Sequence, residues 1–350
     1  MIYVKNTVKK VFACLLTLSA AVLFLVKNES ACAGAVYSIK LCAAAVIPSL
    51  FPFMVLSMYA VRSGIAESAG RIFDVPCRKV FRLPGEAAFI ILMSLTGGFP
   101  VGAKMISSSV ESGILTEKQG RRMMLFCVNA GPAFIINIVG QSVLGSRKVG
   151  VILLLSTVIS ALAVGFFTRF SDSEEKRIPP LKSEKNKAGA LTESVESSVK
   201  SMLIVCGWII VFGAVSRIIS DAPLPEKLSL WADMLCEVTK GCKTSAANFP
   251  LPVTAFTLGF SGLSVHAQIM PFAENTNLKY RLFLLFRIIN GVLCAAVSAV
   301  LFHFFPCEVQ VFASSSEIVP VTFSASVYAS AAAIITASLI ILDLAPAKKM

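Results

Sequence analysis

The chain has 350 residues, of which 56% are hydrophobic and 15% are charged, and its mean hydropathy is +0.78. A soluble globular chain carries roughly 25% charged residues, so this composition argues against a soluble domain and for a polytopic membrane protein. The net charge is +12. The basic residues lie in short segments between apolar runs and not in one basic module, which argues against a nucleic-acid partner and suits the excess of Lys and Arg in cytoplasmic loops.

The apolar runs, taken in chain order, predict an all-α membrane protein with about 8–10 transmembrane or re-entrant segments. Residues 1–30 are expected to form an N-terminal transmembrane helix that starts in the cytoplasm, because Lys5, Lys9 and Lys10 precede its apolar run. Residues 31–170 are then a first repeat, 171–200 a hydrophilic and cytoplasmic linker, and 201–350 a second repeat. The further apolar runs are 41–61, 87–106, 123–143, 149–167, 202–219, 249–272, 282–305 and 325–344.

Three of these runs are interrupted by residues that a lipid-facing helix does not use. In hydrocarbon, each freed backbone group must find a partner, so irregular backbone occurs only where it is packed in protein or lines a wet cavity. We therefore predict broken helices or hairpins near the midplane of the bilayer. The residues expected to break or gate these helices are Gly97, Gly98, Pro100, Gly131, Pro132 and Gly262.

Two of the interrupted runs are related by an internal repeat. Gly98 lies opposite Gly262 at an offset of 164 residues (262 − 98), and the same offset matches Val101 with Val265, Ala103 with Ala267, and Lys104 with Gln268. Duplicated halves with Gly- or Pro-interrupted segments in corresponding positions indicate the binding site of a secondary transporter. The broken helices would direct N-terminal N–H groups at an anionic or hydrogen-bonding solute.

Four blocks of the sequence carry a resemblance to a known family: residues 98–104, 127–132, 237–241 and 261–268. They resemble the sporulation integral membrane proteins of the YlbJ (SpoVV) type, which belong to the nucleoside-recognition, or Gate, superfamily related to concentrative nucleoside transporters. The resemblance covers about residues 35–345. It implies two Gate-like repeats and the transport of dipicolinic acid across the outer forespore membrane during sporulation. The chain departs from the family at Phe99 and Ala130, which leaves the detail of the substrate open.

The polar residues of the interrupted runs each have two interpretations. Lys104 either binds a substrate carboxylate or reaches to the interface, and His266 either binds substrate or a coupling proton or pairs with a neighbouring backbone carbonyl. Ser264 and Gln268 either bind substrate or join packed helices. The predicted substrate-binding residues are Lys104, Asn129, Thr239, Lys240, Ser264, His266 and Gln268.

Other residues are expected to have no role at the site. His303 is expected to be structural, and Arg287 and Asp343 to be interfacial or paired charges. The ten cysteines form no CxxC or Cys/His group, so neither a metal nor a cofactor is predicted. The sequence also lacks HExxH and GxSxG motifs, which argues against an enzyme.

The leading function is therefore transport of a small anionic solute, with dipicolinate as the expected substrate and the lipid bilayer as the surrounding partner. A nucleoside or another small metabolite is the alternative substrate. A structural or assembly protein of sporulation that moves nothing is the alternative class. The sequence is compatible with both a monomer and a homo-oligomer.

Overall fold

The computed structural model describes residues 2–170 and 189–307, and these ranges contain helices and short connections but no strand. This confirms the predicted all-α class. Short π-helical segments cover Cys42–Val46 and Ala133–Val143, and 3₁₀ turns cover Thr168–Phe170 and Glu274–Thr276. The α-helices are α1 (Ile2–Val26), α2 (Asn28–Leu41), α3 (Ile47–Arg62), α4 (Ile65–Ile72), α5 (Asp74–Phe81), α6 (Glu86–Gly97), α7 (Phe99–Glu111), α8 (Glu117–Met124), α9 (Arg147–Phe167), α10 (Ala190–Ser220), α11 (Glu226–Cys236), α12 (Val238–Asn248), α13 (Leu251–Phe260), α14 (Gly262–Ala273) and α15 (Tyr280–Phe304).

Three of the described helices are long and apolar enough to cross a membrane: α9 with the 3₁₀ turn that follows it, α10 and α15. The number rises to 5 if each of two bent helix pairs is one span. One pair combines Thr17–Val26 with Asn28–Ala44 at 91°, and the other combines Asp74–Phe81 with Glu86–Gly97 at 79°. The protein is thus an integral membrane protein with bent helix pairs. The predicted span at 325–344, together with Asp343, and residues 171–188 of the predicted linker lie outside the described residues.

α10 begins earlier than the sequence analysis expected, because Ala190 lies within the predicted linker of 171–200. Two ion pairs explain how this hydrophilic stretch continues as helix: Glu196 accepts a hydrogen bond from Lys200 one turn later, at 2.7 Å, and Glu193 pairs with Arg62 of α3. The 31 residues of α10 extend about 46 Å at 1.5 Å per residue. A hydrocarbon core is about 30 Å thick, so the charged first turns of α10 extend beyond it.

The shorter helices form pairs that meet end to end at a break. α6 and α7 meet at Gly98, α11 and α12 at Glu237, and α13 and α14 at Ser261. These helices have 10 to 13 residues, or about 15–20 Å, which is roughly half of the hydrocarbon thickness. Two such helices placed end to end are therefore about as long as the hydrocarbon core is thick.

Glycines set the closest helix contacts of the bundle. A Cβ on Gly34 of α2 would lie 2.4 Å from the carbonyl oxygen of Gly213 of α10, and a Cβ on Gly259 of α13 would lie 2.8 Å from the α-carbon of Gly291 of α15. Small residues allow such approach between membrane helices. The main hydrophobic core joins both halves of the chain, with Val101 and Val265 among its buried residues.

Candidate functional site

The first helix break packs against a second, non-helical stretch. Gly98 has φ +86°, and a Cβ placed on Gly131 would lie 3.3 Å from the Gly98 nitrogen and 3.3 Å from the Thr96 oxygen. The chain is not helical over 125–131 and becomes π-helical after Pro132. Gly131 therefore allows the two backbones to touch. Gly97 ends α6, whereas Pro100 lies in the first turn of α7, where a missing N–H costs little.

The second pair of breaks repeats this arrangement in the other half of the chain. Ser261 and Gly262 have φ values of +78° and +72°, and a Cβ on Gly262 would lie 3.0 Å from the backbone nitrogen of Val238. Glu237 caps α12, because its carboxylate accepts hydrogen bonds from the backbone nitrogens of Thr239 at 3.0 Å and Lys240 at 2.6 Å. The breaks at Glu237 and Ser261 thus meet as those at Gly98 and Gly131 do.

One arginine on α15 joins the two halves at these breaks. The Arg287 guanidinium donates through Nη1 to the Val128 carbonyl and to Ser261 Oγ, the latter at 3.4 Å, and through Nη2 to the Leu125 carbonyl at 3.2 Å. Its side chain is 0% exposed. Arg287 forms no ion pair with any described residue. The expectation of an interfacial or paired charge is therefore wrong, because the guanidinium binds the carbonyls that the break at 125–131 frees.

The arrangement concentrates positive potential in the middle of the bundle. Helix N-termini carry the positive end of the helix dipole, and α7, α12 and α14 begin at the breaks. The Arg287 charge adds to these dipoles. Three buried polar atoms near this centre have no hydrogen-bond partner among the described residues: Arg287 Nε, Asn129 Oδ1 and Asn290 Oδ1. The Asn129 amide nitrogen donates one hydrogen bond, to the Phe126 carbonyl at 2.6 Å.

Three predicted site residues meet where α7 packs on α14. Lys104 Nζ lies 5.9 Å from the centre of the Phe272 ring, and Ser264 and Gln268 share the Phe272 face of α14 at spacings of four residues. Ser264 and Gln268 are buried. Lys104, Ser264 and Gln268 make no side-chain hydrogen bond or ion pair within the described parts of the chain. This surface, which we call the α7–α14 seam, holds one cation and two neutral polar groups.

The geometry of His266 matches the second of its two interpretations. The ring is buried, its Nε2 donates to the Phe260 carbonyl at 2.9 Å, and its Nδ1 lies 3.5 Å from the Tyr280 hydroxyl. The Phe260 and Phe283 rings pack on it at centroid distances of 4.9 and 5.2 Å. His266 therefore holds the last carbonyl of α13, and both of its nitrogens have partners.

Lys240 also has its own partners. Its Nζ lies 2.6 Å from Asp233 Oδ1 and 3.3 Å from Ser216 Oγ, and it donates to Ser220 Oγ. The ion pair with Asp233 neutralises Lys240, and the Lys240 backbone nitrogen donates to the Glu237 carboxylate. Thr239 uses its backbone nitrogen in the same cap. These two residues support the break and are less available to a solute than Lys104 is.

Sequence reasoning missed Arg287, Asn290 and Asp233. A signal for Arg287 and Asn290 existed, since both interrupt the apolar run 282–305 at a spacing of three residues, which places them on one face of a helix. His303 lies in the last turn of α15 against Phe304, away from the breaks. Among the described residues, no group of three or more His, Cys, Asp or Glu could hold a metal ion.

The chain is similar to the sporulation integral membrane protein YlbJ of Bacillus subtilis (strain 168). The two are 28% identical over 294 residues, which cover 71% of this chain and 72% of the relative. The match confirms the resemblance to the YlbJ type. No family model matches the chain, and no solved structure matches it.

Proposed function

We propose, taking the chain as a sporulation integral membrane protein of the YlbJ type, that it transports a small anionic solute across the membrane. The observation that carries the proposal is Arg287, which is wholly buried where the helix breaks meet and has no acidic partner among the described residues. A buried charge normally requires an opposite charge or a set of hydrogen bonds. Carbonyl groups satisfy Nη1 and Nη2, whereas Nε and the surrounding helix dipoles are left to an anion.

The proposed route includes the α7–α14 seam. Lys104 supplies a second cation there, and Ser264 and Gln268 can each donate or accept a hydrogen bond. The Phe272 ring beside Lys104 offers an aromatic face. These groups suit a flat anion that carries carboxylates and ring acceptors.

Dipicolinic acid is the substrate that we propose for this site. Its two carboxylates are of the charge that Lys104 and Arg287 attract, and its pyridine ring suits an aromatic face such as that of Phe272 beside Lys104. On the basis of the similarity to the YlbJ-type protein, we further propose that the chain acts at the outer forespore membrane during sporulation. We also propose that it is related to the nucleoside-recognition, or Gate, superfamily. We propose that the protein carries its solute unchanged and catalyses no reaction.

The proposal is tested by uptake of labelled dipicolinate into proteoliposomes that contain the full chain. Uridine and pyridine-2,6-dimethanol, which has the same ring but no carboxylate, serve as competitors. Arg287→Gln and Lys104→Ala are compared with Arg281→Gln, a matched change on an exposed arginine of the same helix. Loss of a hydrogen bond to a charged group costs about 1.5–3 kcal/mol, so we expect uptake to fall about tenfold or more in the first two variants only.

The competitors separate the alternatives. Uptake that neither neutral competitor reduces supports an anion site. Inhibition of uptake by uridine would indicate that the substrate is a nucleoside and not dipicolinate. Absence of all uptake by folded protein would favour a structural role in sporulation. Equal loss of uptake in Arg281→Gln would contradict the assignment of Arg287.

A further inference from the structure

Two cysteine side chains from different halves of the chain meet beside the crossing of α2 and α10. Cys42 begins the π-helical segment that follows α2, and Cys206 lies near the middle of α10. Both are free thiols, and they are hydrogen-bonded to each other. Cys42 is 4% exposed, whereas Cys206 is partly exposed. The pair therefore combines a buried thiol with one that a small reagent can reach.

The close crossing of the two helices explains why the thiols meet. A Cβ on Gly213 would lie 1.8 Å from Ser38 Oγ and 3.1 Å from the Gly34 carbonyl oxygen. Cys42 lies after Gly34 in the chain, whereas Cys206 lies before Gly213, so the paired segments are antiparallel and the thiols lie about two turns from the crossing. A disulfide requires α-carbons about 4.4–6.8 Å apart, and helices that touch through glycine can provide such an approach.

Two other buried cysteines are held by hydroxyl groups. Cys294 Sγ lies 3.6 Å from Thr157 Oγ1, and the Cys127 side chain is hydrogen-bonded to Ser94. A hydroxyl partner satisfies a thiol but offers no sulfur with which it can react. Cys42 and Cys206 differ from these cysteines because each has a second sulfur as its hydrogen-bond partner. Cys42 also begins a π-helical segment, and such segments are frequent at functional sites.

We propose that Cys42 and Cys206 are a site of reversible disulfide formation that links the two halves of the protein, with a small uncharged disulfide as the co-reactant. The Cys206 thiol attacks this disulfide and forms a mixed disulfide, while one thiol leaves with the proton of Cys206. The Cys42 thiol then attacks the Cys206 sulfur, and a second thiol leaves with the proton of Cys42. An excess of a reducing thiol reverses both steps. The proposal does not depend on what the protein transports.

The test treats the folded, full-length protein in detergent with 4,4′-dithiodipyridine, a small uncharged disulfide, and identifies the products by peptide mass spectrometry. In the unmodified chain, we expect a peptide that joins Cys42 to Cys206 and is lost on reduction. In Cys42→Ser, Cys206 has no second thiol beside it and should keep the pyridyl adduct. We expect this adduct to be about tenfold or more abundant in Cys42→Ser than in the unmodified chain, because an adjacent thiol reacts far faster than one in solution. Cys32, which is exposed on α2, is the control and should keep its adduct equally in both proteins.

Three outcomes would overturn the proposal. An adduct that persists at Cys206 in the unmodified chain would show that Cys42 does not react with it. A peptide that joins Cys206 to a different cysteine would assign it another partner. A Cys206 that reacts only after the protein is unfolded would show that no oxidant reaches the site. Cys42→Ala is a second variant, and thermal unfolding before treatment checks that each variant is folded. The linked peptide of the unmodified chain depends on neither variant.

Discussion

Burial determines what a polar residue does in this protein, and His266 illustrates the point. The ring has a hydrogen-bond partner at each nitrogen and contacts the Phe260 and Phe283 rings. A side chain with all of its polar atoms occupied stabilises its surroundings and has no donor left for a solute. Lys104 also lies one to two turns after a break, in α7, but its ammonium group remains available.

We predict that His266→Ala lowers the stability of the protein. The change leaves the Phe260 carbonyl without its partner, which costs about 1–3 kcal/mol, and opens a space between two phenylalanine rings. His266→Gln can still donate to that carbonyl and should recover part of the loss. Thermal unfolding in detergent measures both variants.

The control for this prediction is His303→Ala, the other histidine, which lies at the end of α15 and should change little. A His266→Ala protein that is as stable as the wild type but takes up no solute would contradict this prediction and support a substrate-binding role for His266.

At the scale of the helices, the breaks depend on backbone conformations that few residues adopt. Gly262 combines a positive φ with close contact to the backbone of Val238, whereas Gly113 has φ +72° and open space, with no atom within 4 Å of the point where a Cβ would lie. Substitution of Gly113 therefore measures the cost of a left-handed backbone conformation alone, whereas substitution of Gly262 adds the cost of a steric clash.

We predict that Gly262→Ala is more destabilising than Gly113→Ala. Both changes place a side chain in a sparsely populated conformation, at a cost of about 1–3 kcal/mol. Gly262→Ala also pushes against the Glu237–Val238 backbone, so it should further reduce uptake. The comparison uses thermal unfolding and transport by the same preparations, and equal losses of stability would show that the contact between the breaks is unimportant.

The crossing of α2 and α10 provides a second prediction at this scale. Gly34 and Ser38 form a small-xxx-small pair on α2 that faces Gly213. Gly34→Ala would place its Cβ against a backbone carbonyl, and we expect a loss of about 1–3 kcal/mol, as for other overpacked sites.

Gly207→Ala is the matched control, since this residue lies in α10 with open space around it. We expect it to be neutral or slightly stabilising, because Ala favours helix over Gly. Thermal unfolding measures both variants, and a Gly34→Ala protein of unchanged stability would contradict the close crossing.

At the scale of the whole molecule, the two halves of the chain are joined by buried polar contacts. Arg287 binds carbonyls at positions 125 and 128, and Thr157 Oγ1 lies 3.6 Å from Cys294 Sγ. Each contact leaves an unsatisfied polar group if one half is absent.

We therefore predict that fragments 1–180 and 181–350 fold only together. Expressed alone, 181–350 should aggregate, because the Arg287 charge then has no carbonyl partner from the first half. Co-expression should give a complex that elutes as one species on size-exclusion chromatography. A monodisperse 181–350 fragment on its own would contradict this mutual dependence.

The sequence predicted the positions of the breaks better than the residues that line them. Glycine and proline within an apolar run indicate a broken helix because lipid provides no hydrogen-bond partners, and the chain is broken at Gly98, at 125–131 and at Ser261. Which way a polar side chain points depends on other segments. Arg287 is buried because its carbonyl partners come from the first half of the chain, and Lys240 is neutralised by Asp233 from the helix before the break, so a one-dimensional pattern indicated neither.

The same long-range pairing bears on biosynthesis. A chain enters the membrane from its N-terminus, so the break at 125–131 is synthesised well before Arg287 leaves the ribosome. Until then, the carbonyls of Leu125 and Val128 lack their final donor, and hydrocarbon cannot provide one. This segment must therefore stay hydrated, or be held by the insertion machinery, until α15 arrives. The break in the first half of the chain can therefore reach its final structure only after Arg287 has been synthesised.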